Sequence, residues 1–364
     1  MLRQERMIAL GAGRFMKDKF GREINYMRIS VTDRCNLNCI YCMPDNLCSM
    51  AETMSLDEII KIAKAAASCG VKRIRFTGGE PLVRDDTVEM IKAVKKIKGI
   101  EKTALTTNGI LLGKYIDKLA KAGLDSVSIS LDTLDREKYE RITGKDSLHT
   151  VTEAVKKAQA LGNIDVKINS VILKGINDDQ VCKLASLADD ESTSVRFIEL
   201  MPIGFGRDYS GVSQVDILKM LEAEYGEAVP CKESRTDCGY DSENNTAKKY
   251  GKTDEEGSGE ISGPAVYYKF SGLAGKIGFI SPLSHKFCSN CNRIRITPEG
   301  MLRLCLHSER GVDLKQALKS GAEERELAAI MKKAVSDKPW SHEFDEAVRR
   351  RLVSEEKTMA QIGG

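Results

Sequence analysis

Between residues 25 and 225, short apolar β-like runs alternate with helical patterns, and no other feature of the chain constrains its fold as strongly. Strands are predicted over 27–31, 71–76, 102–106, 126–131, 165–172 and 194–200, and helices over 86–98, 114–122, 149–161, 178–188 and 213–225. An earlier helix carries its own punctuation: Ser55 as N-cap, Glu58 completing a capping box, and Gly70 to close. Alternation of this kind means βαβ units and a parallel sheet. Six such units can build an open, incomplete barrel or a doubly wound sheet.

The placement of polar residues separates the two. Polar or glycine-rich segments follow nearly every predicted strand, at 33–42, 77–80, 106–109, Asp132 with Thr133, and 201–206. A barrel gathers such loops around one site at one face, whereas a doubly wound sheet concentrates them at a single switch point. The expected fold is therefore α/β, an incomplete (β/α)6 TIM-like barrel with a C-terminal α+β extension closing the open side. Residues 1–24 are expected to be an N-terminal extension that folds late or stays mobile, and 25–228 the partial barrel. The polar run over 229–263 reads as a flexible insertion, and 264–364 as the C-terminal region.

Charge and cysteine usage narrow the function classes. The net charge is only +3, so no global field argues for nucleic acid or an anionic membrane, and any anionic ligand must meet a local arginine cluster. No stretch approaches the length that spans a bilayer. Arg3 and Arg6 precede a run too short and weakly apolar to be expected to act as a leader. Eleven cysteines, an odd number spread over 364 residues, do not resemble a secreted disulfide scaffold. Six fall into two tight groups, which points to metal. The scattered five (Cys48, Cys69, Cys182, Cys231 and Cys238) are expected to be reduced thiols, which fits a cytoplasmic location.

The first group, Cys35-x3-Cys39-x2-Cys42, follows the first strand. Three thiolates this close can hold an iron–sulfur cubane while leaving one iron open. Cys48 as a fourth ligand would instead close the cluster into an electron carrier, and zinc would lack a nearby histidine. The electron-carrier reading explains neither the large barrel nor Thr77-Gly78-Gly79-Glu80-Pro81 after the second strand, where glycines permit close backbone approach and a carboxylate can meet an ammonium group. C-x3-C-x2-C followed by Gly-Gly-Glu resembles the radical S-adenosylmethionine superfamily. The resemblance implies that the open iron chelates the methionine end of S-adenosylmethionine, with Gly79 and Glu80 holding that end. It also implies contacts from Tyr41, Ser130 and Met201.

The second group is Cys288-x2-Cys291-x13-Cys305. With His285 or His307 nearby, zinc and iron–sulfur are evenly matched on these residues alone. Context shifts the balance. Arg293 and Arg295 alternate with Ile294 and Ile296, as Arg73 and Arg75 do on the second strand, so each pair shares a strand face. Paired arginines pointing into a barrel are costly unless an anion sits there, and Arg28 and Lys167 add to them.

These motifs, with Phe197-Ile198-Glu199-Leu200-Met201-Pro202 and the terminal Gly363-Gly364, are similar to the GTP 3′,8-cyclase family of molybdenum-cofactor biosynthesis. By that resemblance the chain holds two [4Fe–4S] clusters, the second with an open iron that ligates guanine. Arg28, Arg75, Thr106, Lys167, Arg293 and Arg295 match positions that hold GTP. A 5′-deoxyadenosyl radical would take the ribose C3′ hydrogen, and the substrate radical would attack guanine C8 to give 3′,8-cyclo-7,8-dihydroguanosine 5′-triphosphate. Gly363 and Gly364 would reach into the active site. The implied partners are GTP, a low-potential electron donor and a downstream pterin-forming enzyme, with a homodimer left open. Two rival classes remain: a peptide-modifying radical enzyme, which usually carries more auxiliary cysteines, and a non-enzymatic iron–sulfur or zinc protein.

Overall fold

The computed structural model describes residues 15–42, 52–231, 239–241, 246–248, 264–308 and 310–342. Strands β1 (Met16–Lys17), β2 (Glu23–Ile24) and β3 (Tyr26–Ser30) precede helix α1 (Leu56–Ser68). The alternation continues through β4 (Arg73–Thr77), α2 (Thr87–Lys95), β5 (Lys102–Thr107), α3 (Leu112–Lys121) and β6 (Ser126–Ser130). Next come α4 (Arg136–Thr143), α5 (Leu148–Ala160), β7 (Asp165–Val171), α6 (Val181–Ala185), β8 (Thr193–Ile198) and α7 (Gln214–Tyr225). The remainder comprises β9 (Val229–Pro230), β10 (Gly239–Asp241), β11 (Thr246–Lys248), β12 (Val266–Lys269), β13 (Lys276–Ile280), β14 (Arg293–Ile296), β15 (Met301–Arg303), β16 (Gly311–Asp313), α8 (Leu314–Lys319) and α9 (Glu324–Ser336).

Strands β3 to β8 pair in parallel in sequence order, the arrangement expected of the partial barrel. The C-terminal strands then extend the sheet at both edges. β14 joins β3 in parallel and β13 joins β8 in parallel, so eight consecutive strands run the same way before the antiparallel outer strands begin. The sheet stays open between β9 and β16. The C-terminal region thus contributes two staves of the barrel wall.

Local chemistry explains the helices. Ser55 Oγ accepts from the Glu58 amide at 3.2 Å, and Glu58 Oε2 accepts from the Ser55 amide at 2.7 Å, completing the capping box. Gly70, at φ +92°, lies just beyond the end of α1 in the region that favours glycine. Ile59, Ile62, Ala63 and Ala66 form the buried stripe of α1. Met27, Ile29 and Phe76 bury one face of their strands, which leaves the alternating polar residues for the interior.

Four expectations need correction. Residues 15–24 are not a loose extension: β1 and β2 form a hairpin whose Met16 and Ile24 are buried in the main core. Within 229–263, β9 joins β12, and β10 pairs with β11; the other residues of that run lie outside the described set. The helix expected over 178–188 is a 3-10 turn (Asp178–Gln180) followed by the short α6. Helix α4 was not anticipated. Among the described residues no helix is long and apolar enough to cross a membrane.

Candidate active site

Barrel interiors are normally packed with branched apolar side chains. This one encloses a cavity of 910 Å³ with ten lysines and arginines in its lining against five aspartates and glutamates. That local excess is larger than the net charge of the whole chain, +3, so the positive field is concentrated inside the barrel.

Register explains the concentration. Arg295 pairs with Arg28, and Arg28 with Arg75, across β14, β3 and β4. Arg75 reaches across the interior: Nε donates to Tyr26 Oη at 2.7 Å, and Nη1 donates to Ser128 Oγ at 2.7 Å, Leu105 O at 3.1 Å and Thr106 Oγ1 at 3.2 Å. Arg196 on β8 donates to Asn169 Oδ1 at 2.9 Å and to the same Ser128 Oγ at 2.8 Å. The crowded cations depress one another. Burial, then Arg295, holds Arg28 well below its usual value. Burial, then Arg293, brings Arg295 down to about 10, and burial, then Arg196 and Arg75, brings Lys167 down to about 8. Burial would raise the Tyr26 hydroxyl, but Arg75, Arg28 and Arg293 together bring it to about 7. Such a set is stabilised by a polyanion, whose charge offsets the repulsion among the crowded cations.

At the carboxyl ends of the strands, two loops are locked together. The Gly79 amide donates to Thr32 O at 2.9 Å, and the Glu80 amide to Arg34 O at 2.8 Å. A Cβ on Gly78 would lie 2.3 Å from Thr32 O, and one on Gly79 would lie 2.3 Å from Arg34 O. The glycines therefore serve the approach of their own loop to the segment that leads into Cys35. Glu80 is also placed differently from expectation. It is fully buried, and its carboxylate accepts from Leu82 N, Thr107 Oγ1 and Asn108 N at 2.9, 2.8 and 2.6 Å. It ties the loops after β4 and β5 instead of standing open to an ammonium group. Alanine at Gly79 is expected to cost about 1–3 kcal/mol in denaturant unfolding and to deplete the first cysteine group of iron. Wild-type stability and iron content would contradict this close packing.

Cys35, Cys39 and Cys42 form no disulfide and are partly exposed. Burial and then the charges of Cys42, Asp132 and Cys35 raise Cys39 well above its ordinary value. A thiol burdened by two neighbouring thiols in this way fits a site for a polynuclear cation, which would supply the missing positive charge. Asn108 Nδ2 donates to Cys35 Sγ at 3.7 Å. Tyr41 Oη donates to Asp132 Oδ2 at 2.6 Å, tying the cysteine loop to the loop after β6. Tyr41, Ser130 and Met201 line the cavity, while the three cysteines, Gly79 and Glu80 do not.

Cys288, Cys291 and Cys305 line the same cavity, as do Arg28, Arg75, Thr106, Lys167, Arg293 and Arg295. Burial, then Cys305 and Cys291, raises Cys288, whereas Lys338, Arg293 and Arg22 outweigh burial and lower Cys291. The turn is clamped from two distant segments. Arg22 donates to Cys288 O at 2.6 Å and Lys338 donates to Arg293 O at 3.0 Å. His285 and His307, the zinc candidates, are not in the lining; His342 is, and its Nε2 lies 2.7 Å from Pro282 O. Gly363, Gly364, Cys48 and Cys238 lie outside the described residues.

Sequence reasoning missed Arg196, Tyr26 and Lys338, and it placed Asp132 only among the polar loops around the site, without a partner. Arg196 carried a weaker signal than the paired Arg73 and Arg75, a single cation two residues from the polar Ser194 on a barrel strand. Lys338 carried none, because its role comes from contacts far along the chain.

Residues 29–188 match the Radical SAM superfamily, and residues 230–344 match Molybdenum Cofactor Synthesis C. The GTP 3′,8-cyclase of Clostridium perfringens (strain 13 / Type A) is 42% identical over 352 residues, covering 96% of this chain and 100% of that protein. Molybdenum cofactor biosynthesis protein 1 of Dictyostelium discoideum is 40% identical over 332 residues, 90% of this chain and 49% of that protein. Among solved structures, Streptococcus suis SuiB bound to S-adenosylmethionine has a TM-score of 0.58 at 14% identity, covering 93% of this chain and 77% of that one, a likeness of fold.

Proposed function

The chain belongs to the GTP 3′,8-cyclase family of radical S-adenosylmethionine enzymes, and from that premise we propose that it joins C3′ and C8 of GTP inside the cationic cavity, the first step of molybdenum-cofactor biosynthesis. The observation that carries this reading is the cavity itself, ten cations against five carboxylates with a cysteine triplet in its wall and a second triplet tied to it through Tyr41 and Asp132. A cationic interior suits a triphosphate and does not suit a neutral peptide strand.

Cys35, Cys39 and Cys42 would hold one [4Fe–4S] cluster, and Cys288, Cys291 and Cys305 would hold the other. S-adenosylmethionine bound at the first would supply the 5′-deoxyadenosyl radical needed to remove the ribose C3′ hydrogen. Tyr41, Gly79, Ser130 and Met201 border it, with Glu80 fixing the loop. Arg28, Arg75, Lys167, Arg293 and Arg295 neutralise and orient the nucleotide, helped by Thr106 and by Arg196, so that C3′ and C8 are held in reacting geometry. A low-potential donor that gives one electron for cofactor cleavage and a second, with a proton from water, to reduce the cyclised radical, and a pterin-forming enzyme that consumes the product, complete the setting.

Anaerobic incubation with GTP, S-adenosylmethionine and dithionite is expected to yield 5′-deoxyadenosine together with 3′,8-cyclo-7,8-dihydroguanosine 5′-triphosphate. Cofactor cleavage with no GTP-derived product would overturn the reading. Arg293→Ala and Arg295→Ala should each weaken GTP binding by about ten- to a hundredfold through loss of a charge-assisted contact, with S-adenosylmethionine affinity near that of wild type. Unchanged GTP affinity in both would exclude them from the nucleotide site.

A further inference from the structure

Arg293 is held mainly by aromatic faces. Its guanidinium carbon lies 5.6 Å from the centre of the Tyr26 ring and 5.4 Å from that of Phe287. Its Nε is buried and has no hydrogen-bond partner among the described residues. A guanidinium packed against rings keeps the donors on its edge for a ligand, while the faces that carry no donors are covered.

Tyr26 does a second thing at the same time. Its hydroxyl accepts from Arg75 Nε at 2.7 Å, and Arg75 is the cation whose remaining bonds span β5 and β6. Register places Tyr26 opposite Arg293 on β14 and Arg73 on β4, at the centre of three adjacent strands. One side chain therefore touches two cavity arginines that come from opposite sides of β3 and lie more than two hundred residues apart in sequence.

We infer that Tyr26 is a positioning residue of the nucleotide site, its hydroxyl orienting Arg75 and its ring orienting Arg293, with Phe287 as the second wall for Arg293. The two guanidiniums then meet the nucleotide already aligned, which lowers the ordering cost of binding. The inference rests on GTP being the ligand of this cavity. A tyrosine that merely filled space would be replaceable by any side chain of similar bulk.

The test is equilibrium GTP binding to anaerobically purified enzyme carrying both clusters. Tyr26→Phe keeps the ring and loses the hydroxyl, and should weaken binding by about two- to tenfold. Tyr26→Leu loses both and should weaken it by about ten- to fiftyfold. Tyr26→His, which keeps an aromatic face, should follow the phenylalanine variant. In an Arg293→Ala background the gap between Phe and Leu should close, because the ring has lost its partner. Bound iron and S-adenosylmethionine affinity monitor the fold; if the leucine variant loses iron, Tyr26→Met, of similar bulk and without a π face, takes its place. Equal GTP affinity for the aromatic and aliphatic variants with Arg293 present, or an undiminished gap without it, overturns the inference. A wild-type enzyme that binds no GTP overturns the premise about the cavity instead.

Discussion

Serine at Cys35, Cys39 and Cys42 together is expected to abolish 5′-deoxyadenosine formation and to leave only the iron of the second group. A hydroxyl is a poor ligand for a soft iron–sulfur centre, and Cys42 and Cys35 lie close enough to Cys39 to raise the cost of charging it. The fold should survive. The cysteines are partly exposed, and the loop that carries them is held independently by the backbone bonds of Gly79 and Glu80 and by the Tyr41–Asp132 bond. Circular dichroism and denaturant unfolding near wild type, with cofactor cleavage absent, is the predicted outcome. Persistent cleavage in the triple variant would falsify the assignment of this group as the cofactor's cluster.

Arg22→Met should destabilise the protein by about 3–5 kcal/mol, the usual consequence of removing one partner of a buried ion pair. The Arg22 and Asp18 side chains are 6% and 0% exposed and meet at 2.5 Å. The same guanidinium donates to Cys288 O, Trp340 O and Pro339 O at 2.6, 2.8 and 2.6 Å. Its loss leaves the Asp18 carboxylate without its cation and three carbonyls without their donor. It also removes the only side-chain donor from the hairpin to the Cys288 turn among the described hydrogen bonds, so iron at the second group should fall while the first group keeps its own. Combining Arg22→Met with Asp18→Asn should recover part of the stability, because the stranded charge is gone. A urea midpoint within error of wild type for Arg22→Met would mean that the hairpin contributes nothing to the fold.

Much of the site was legible because its chemistry is local. Two cysteine groups, a Gly-Gly-Glu turn and arginines at a two-residue spacing are visible within a few residues each, and strand geometry then says that alternate residues share a face. Glu80 shows where that kind of inference stops. Its motif suggested a group offered to a ligand, but its carboxylate is consumed by Thr107 and Asn108, which arrive from the next strand. Helix α4 was missed for a different reason. Arg136, Glu137, Lys138, Glu140 and Arg141 leave only Tyr139, Ile142 and Thr143 to bury, too little for a periodic pattern.

The chain alone determined the strand–helix alternation, the helix caps and the two cysteine groups put forward as metal ligands, because each depends on spacings of a few residues that backbone geometry converts directly into faces and turns. Only the tertiary structure decided that β13 and β14 complete the wall from both edges, that Arg22 and Lys338 clamp the second cysteine turn, and that Tyr26 joins Arg75 to Arg293. These depend on which strand edges meet and in what register. Pairing across more than two hundred residues is chosen by the total burial and hydrogen bonding of the whole sheet, a quantity no local pattern contains.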